Sequence, residues 1–139
     1  MANVLLISDA TVVLDELLAV VDDGENEIVS LRNADRLRST VDELQPDLVI
    51  TDCQVQSMGG IAICHDLKLE ESGGRLPHVP VLILLDRRAD VFLAKTALAE
   101  GFLVKPMDPI RLRQAMQALL AGGSYRDESY KPITVHHSS

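Results

Sequence analysis

Short unbroken aliphatic runs alternate along this chain with longer stretches of helical period, and that alternation restricts its fold more than any other feature. Val4-Leu5-Leu6-Ile7 is too short for a helix and rich in residues that suit strands. Leu14, Leu17, Leu18 and Val21 then recur at three-and-four spacing, which gives a helix one apolar stripe. Ile28 to Leu31 predicts a second strand, and Leu37, Val41 and Leu44 a second helix, capped by Asn33 and ended before Pro46. Leu48 to Thr51 is a third strand. Ile61 to Leu69 reads as a helix entered through Gly59-Gly60 and left at Ser72-Gly73-Gly74. Val79 to Leu85, Val91 to Leu98 and Phe102 to Val104 continue as strand, helix and short strand. Asp108-Pro109 opens a last helix, with Asp as the cap and Pro where a missing N–H costs nothing. That helix carries Ile110, Leu112, Met116, Leu119 and Leu120 and stops at Gly122-Gly123.

Five strand–helix units follow. Runs that are apolar without alternation belong to strands buried on both faces. The expected fold class is therefore α/β: a doubly wound, five-stranded parallel sheet with helices on both faces. Residues 1–122 form the expected domain and 123–139 a polar C-terminal tail. Within that tail Pro132-Ile133-Thr134-Val135 offers an alternative, an edge strand added to a neighbour. His136-His137 is a weak metal-binding pair, better read as a solvated end.

Composition narrows the partners. The 139 residues carry a net charge of −8, and such a surface repels phosphate backbones, so no direct nucleic-acid binding is expected. No apolar run approaches the roughly 20 residues of a membrane span. The apolar N-terminal stretch lacks a basic start and is broken by Asp9, Asp15 and Glu16, unlike a signal peptide. Cys53 and Cys64 form no CxxC pair and read as core residues. The expectation is a cytoplasmic protein without a membrane partner.

In an open parallel sheet, ligands bind beyond the carboxyl ends of the strands. The residues with chemistry to offer fall there: Ser8-Asp9, Asp52, Asp86 and Lys105-Pro106 end strands one, three, four and five. Carboxylates on neighbouring strand ends repel, and a hard divalent cation, an intervening Lys or a raised pKa reconciles them. Asp9 and Asp52 suggest a Mg²⁺ site completed by a carbonyl and water. An Asp beside a metal and a Lys is a candidate phosphoryl acceptor, because both cations offset the charge of the incoming group.

The stretches VLLISD (4–9), PDLVITDCQVQSMGG (46–60), VPVLILLD (79–86) and FLVKPMDP (102–109) together resemble a response-regulator receiver domain of two-component signalling. The resemblance spans residues 2–122 and implies a flavodoxin-like fold with strand order 2-1-3-4-5. It implies Asp52 as phosphoacceptor, with Gly60 matching the family's glycine eight residues on. It makes Asp9, Asp52 and the backbone carbonyl of Gln54 the Mg²⁺ ligands. It also makes Lys105 the phosphoryl-binding amine, with a cis bond to Pro106, and Phe102 the aromatic switch residue.

The departures from the family pattern are specific. Ser8 replaces the first of two acids after strand one, removing a charge and a water anchor, so the Mg²⁺ site is expected to be weakened. Leu85 stands where the family has a switch Ser or Thr, and its neighbours supply no hydroxyl. Asp86 occupies a position that is usually small, and repels an aspartyl phosphate unless it turns away or pairs with Lys105. Gln56 replaces a Pro in the loop after the acceptor. The stretch between strands four and five is about two residues short, so the fourth helix or its exit is expected to be altered.

The resemblance thus implies an atypical phosphorelay receiver with an impaired switch, a signalling module rather than an enzyme. Its expected partner is a sensor histidine kinase or phosphotransfer protein. An alternative is a phosphorylation-independent pseudo-receiver that binds a protein, or forms a homodimer, through its helix 4–strand 5–helix 5 face, where Arg111, Arg113 and Gln117 would stand. Two rivals fit less well. An aspartyl-nucleophile phosphatase wants an Asp where Gln54 stands, and a flavin or nucleotide carrier wants a better phosphate loop than Ser8-Asp9-Ala10-Thr11.

Overall fold

The structure is a computed structural model that describes residues 2–55 and 58–128. The aliphatic runs form strands β1 (Asn3–Ile7), β2 (Glu27–Leu31), β3 (Leu48–Asp52), β4 (Val81–Leu85) and β5 (Gly101–Val104). Between and after them lie helices α1 (Thr11–Val21), α2 (Leu37–Leu44), α3 (Gly60–Ser72), α4 (Val91–Thr96) and α5 (Pro109–Leu120). All strands pair in parallel in one sheet, in the order β2-β1-β3-β4-β5 followed by a sixth strand, β6 (Tyr125–Arg126).

The sheet explains why the strands do not alternate polar and apolar. Leu5, Ile7, Val49, Ile83, Leu85 and Phe102 point to the face covered by α2, α3 and α4. Val4, Leu6, Ile50, Leu82, Leu84 and Leu103 point to the face covered by α1 and α5. Both faces are roofed, so every position of β3 and β4 is buried, and all but Thr51 and Asp52 are apolar.

Three expectations need correction. The sheet has six strands rather than five, and the tail does not begin at 123, because Tyr125 and Arg126 pair with Gly101 and Phe102 at the edge of β5. Pro132 to Val135 and His136-His137 lie outside the described residues, as does Gln56. Asn33 is not the cap of α2: its side chain accepts from the Asp35 N–H in a local turn, and the helix starts only at Leu37. The helix expected over Val91 to Leu98 ends at Thr96, preceded by one tight turn at Arg88–Asp90, and Leu98 leaves it with φ +64. Asp108, by contrast, caps α5 as expected, accepting from the Ile110 N–H at 2.8 Å.

Candidate functional site

The parallel register delivers four side chains to one rim. Ile7 pairs with Thr51, Asp52 with Leu84, and Leu85 with Val104, so Ser8, Asp52, Asp86 and Lys105 all emerge where their strands end. Asp52 is only 3% exposed. A carboxylate that deep must be paired or hydrogen-bonded to stay charged. Here Lys105 Nζ donates to its Oδ1 at 2.6 Å and Ser8 Oγ to its Oδ2 at 3.0 Å. Each carboxylate oxygen is thus held by a different strand end.

Lys105 is shared. Its Nζ also donates to Asp86 Oδ1 at 2.9 Å, so Asp86 pairs with the amine instead of turning away. Burial alone would push the Lys105 ammonium down, but the hydrogen bonds and charges of Asp52 and Asp86 outweigh it, and its pKa lies above the ordinary lysine value. The Lys105–Pro106 peptide is cis, as the resemblance implies.

Gly60 has a steric reason to be glycine. A Cβ there would lie 2.3 Å from the Asp52 carbonyl oxygen, and its N–H donates to the Cys53 carbonyl at 2.8 Å. The start of α3 is therefore pressed against the backbone that carries Asp52.

Asp9 and Gln54 stand on the same rim, one and two residues past Ser8 and Asp52, and both are exposed. Among the described residues, no three His, Cys, Asp or Glu side chains gather as a metal site by themselves. The donor set that remains is two carboxylates and a carbonyl. It consists of hard oxygens, and it suits Mg²⁺, which keeps several waters and takes one or two carboxylates from a protein. The residues present fit that ion in kind, with one acid fewer than the family pattern because Ser8 replaces it.

The two positions expected to form a switch are dry. Leu85 is fully buried and Phe102 nearly so, in the same apolar layer as Val91, Ala94 and Ala97. β4 itself, Val81 to Leu85, carries no hydroxyl side chain.

Two contributors at the rim were not read from the sequence. Ser8, expected to remove a charge and a water anchor, supplies a hydroxyl that donates to Asp52. Arg32, one residue past β2, reaches Thr11 Oγ1 at 2.7 Å and the Asp9 carbonyl at 3.4 Å, bringing positive charge to the mouth. The adjacency of strands one and two was the available signal. On the far side, Arg113 lines a groove of about 580 Å³ between α1 and α5, with Val13, Met107 and Leu112, so it does not belong to the face shared by α4 and β5. Among the described residues no helix is long and apolar enough to cross a membrane.

Known proteins agree with this geometry. Residues 4–117 match the family model described as the response regulator receiver domain. The DNA-binding response regulator MtrA of Mycolicibacterium paratuberculosis is 29% identical over 119 residues, covering 84% of this chain and 50% of MtrA. The chain thus spans about half the length of the curated relatives it matches. Among solved structures, a LuxR-family two-component response regulator from an Aurantimonas species superposes with a TM-score of 0.79 at 23% identity, covering 94% of this chain and 92% of that one. The chemotaxis response regulator CheY4 of Vibrio cholerae gives 0.73 at 21% identity, covering 86% and 98%. These structures share the fold, and the family model carries the assignment. A chain with this sheet order, an acceptor-type Asp at the end of β3 and a Lys–cis-Pro at the end of β5 belongs to the response regulator receiver domains of two-component signalling.

Proposed function

We propose that Asp52 accepts a phosphoryl group from a sensor histidine kinase or phosphotransfer protein, and that the step is weakly coupled to any change of shape. The observation that carries the reading is the buried Asp52 carboxylate held by Lys105 at 2.6 Å, with that same amine already engaged by Asp86 at 2.9 Å.

In the step itself, an Asp52 oxygen forms a bond to phosphorus while the P–N bond of the donor's phosphohistidine breaks. The leaving imidazole keeps the bond's electrons and takes a proton from water. Both Asp52 oxygens already accept a hydrogen bond, so the attacking oxygen must use a remaining lone pair or release its donor. Lys105 then stabilises the acyl phosphate by moving its ammonium onto a phosphoryl oxygen, which requires it to loosen from Asp86. Mg²⁺, held by Asp9, Asp52 and the Gln54 carbonyl, supplies further charge neutralisation when bound. The signal ends there, because Leu85 offers no hydroxyl to follow the phosphoryl group, and Phe102 already lies buried. The chain acts as a signalling module rather than as an enzyme on a separate substrate.

The buried Leu85 and the occupied Lys105 also favour a second reading, a pseudo-receiver that binds its partner in one fixed state. The two readings separate by NMR with Mg²⁺ and beryllofluoride, a phosphoryl mimic. The first expects shifts around Asp52 and Lys105 that stop short of Phe102, and that extend to Phe102 in Leu85→Thr. Shifts that reach Phe102 in the native chain would overturn the impaired switch. Absence of any response, with or without Leu85→Thr, would favour the fixed module.

A further inference from the structure

β5 ends the expected five-stranded sheet, and an edge strand leaves alternate main-chain groups open to pairing by any extended segment. In this chain the open edge is filled from within. Helix α5 stops at Ala121, Gly122 turns with φ +85, and the chain runs back beside β5 as Ser124-Tyr125-Arg126-Asp127. The Tyr125 N–H donates to the Glu100 carbonyl at 3.0 Å, and Tyr125 and Arg126 sit in parallel register with Gly101 and Phe102. One step further, where another strand residue would pair, a side chain takes over: Asp127 Oδ2 accepts from the Val104 N–H at 2.9 Å. Asp127 is only 2% exposed, a depth unusual for a carboxylate that ends a polar segment.

The fit is close on both sides. A Cβ on Gly101 would stand 3.2 Å from the Tyr125 carbonyl oxygen and 3.0 Å from Leu119. The β5 edge is thus shaped to let this segment approach. Between it and α4 lies a groove of about 260 Å³ lined by Lys95, Leu98, Phe102, Tyr125 and Arg126. Leu98 keeps a left-handed backbone that glycine would adopt more easily, while holding its side chain out beside the groove.

We infer that the β5 edge is a strand-docking surface closed in cis by residues 124–127. The partner it fits in trans is an extended peptide that runs parallel to β5 and carries a carboxylate where Asp127 stands. The cover is separable in principle from the domain, because it adds two paired residues after a glycine pair and, of these, only Tyr125 packs against a core layer, that of α1 and α5. Pairing through the main chain supplies the affinity and the carboxylate on Val104 the register. This inference does not depend on phosphorylation of Asp52.

The test is amide hydrogen exchange by NMR on the full chain and on Asp127→Ala and Asp127→Asn, with a synthetic peptide of residues 122–128 as the probe. The Lys105 amide, which donates inward to the Leu85 carbonyl, is the control for general loosening. Exchange at Val104 and Tyr125 is expected to quicken by at least about tenfold in Asp127→Ala with Lys105 unchanged, since a local opening need not unfold the rest. Asp127→Asn, which keeps an acceptor, should stay close to the native rate. Millimolar peptide should restore Val104 protection in Asp127→Ala and leave the native chain unaffected. Unchanged Val104 exchange in Asp127→Ala would overturn the inference, as would a rise shared equally by Lys105, or equal peptide binding by the native chain.

Discussion

Two lysines at opposite ends of the sheet each approach a carboxylate to 2.6 Å, yet they are built for different ends. At the amino-end rim, Lys68 of α3 donates to both oxygens of Glu100 and to the Val79 carbonyl, while Glu100 also accepts the Val81 N–H. One amine meets one acid, the other contacts are main-chain, and the set is neutral and tied to two strand starts. At the carboxyl-end rim, Lys105 is divided between Asp52 and Asp86, with Asp9 one residue past Ser8. Acids outnumber the lysine there. The first arrangement is satisfied as it stands. The second carries a surplus of negative charge that a cation relieves, and its amine has a choice of partners. Similar distances therefore leave one rim satisfied and the other open to a cation.

The largest effect expected from breaking this contrast is on stability. Lys68→Met strands a partly buried carboxylate at the amino end and should cost about 3 kcal/mol in a urea titration, leaving phosphorylation of Asp52 intact. Lys105→Met strands the deeper Asp52 carboxylate and should cost at least as much, and it alone should also abolish phosphoryl incorporation. If Lys68→Met instead abolishes incorporation, the two rims are not independent.

Gly60→Ala comes next. Its methyl would drive into the Asp52 carbonyl, so a loss of roughly 2 kcal/mol is expected, together with slower phosphorylation, because the backbone under the acceptor must shift. A substitution with no effect on either would remove the steric reading of that glycine.

Alkaline pH probes both rims at once. Burial pushes the Cys64 thiol, near Lys68 and Glu100, up to about 12. Lys105 lies above the ordinary lysine value despite its burial. Both groups hold their proton more tightly when folded, so their contribution is complete below the unfolded values and is lost as pH rises through the folded ones. Denaturation midpoints should therefore fall progressively from about pH 9 towards 12. A flat profile over that window would contradict the assigned protonation states.

The smallest effect is the most specific. Asp86→Asn should leave stability nearly unchanged, since Asp86 is about a third exposed, and should raise the rate of phosphoryl incorporation about fivefold by freeing Lys105. An unchanged or slower rate would mean that Asp86 helps to position the amine.

Much of this was legible in the chain. Short aliphatic runs locate β1 to β5, most clearly β1, β3 and β4, which are roofed on both faces and need few polar positions. Asp108-Pro109 locates α5 because cap and first turn are local chemistry. β6 was not legible, since Tyr125 and Arg126 have no apolar pattern and pair through main chain alone, with Asp127 completing the edge from its side chain. Asn33 misled because an Asn that satisfies its own turn looks the same in sequence as one that caps a helix. At the site, Asp52 and Lys105 were placed by their strand ends. Whether Asp86 would turn away or pair, and whether Ser8 would be a gap or a donor, depended on four strands meeting, which no local pattern encodes.

The central claim is that Asp52 is a working acceptor, and intact-mass spectrometry after incubation with acetyl phosphate and Mg²⁺ tests it most directly. The account predicts a gain of one phosphoryl group, mapped to the peptide containing Asp52 and absent in Asp52→Asn. No gain in the native chain, or a gain that survives Asp52→Asn, would contradict it.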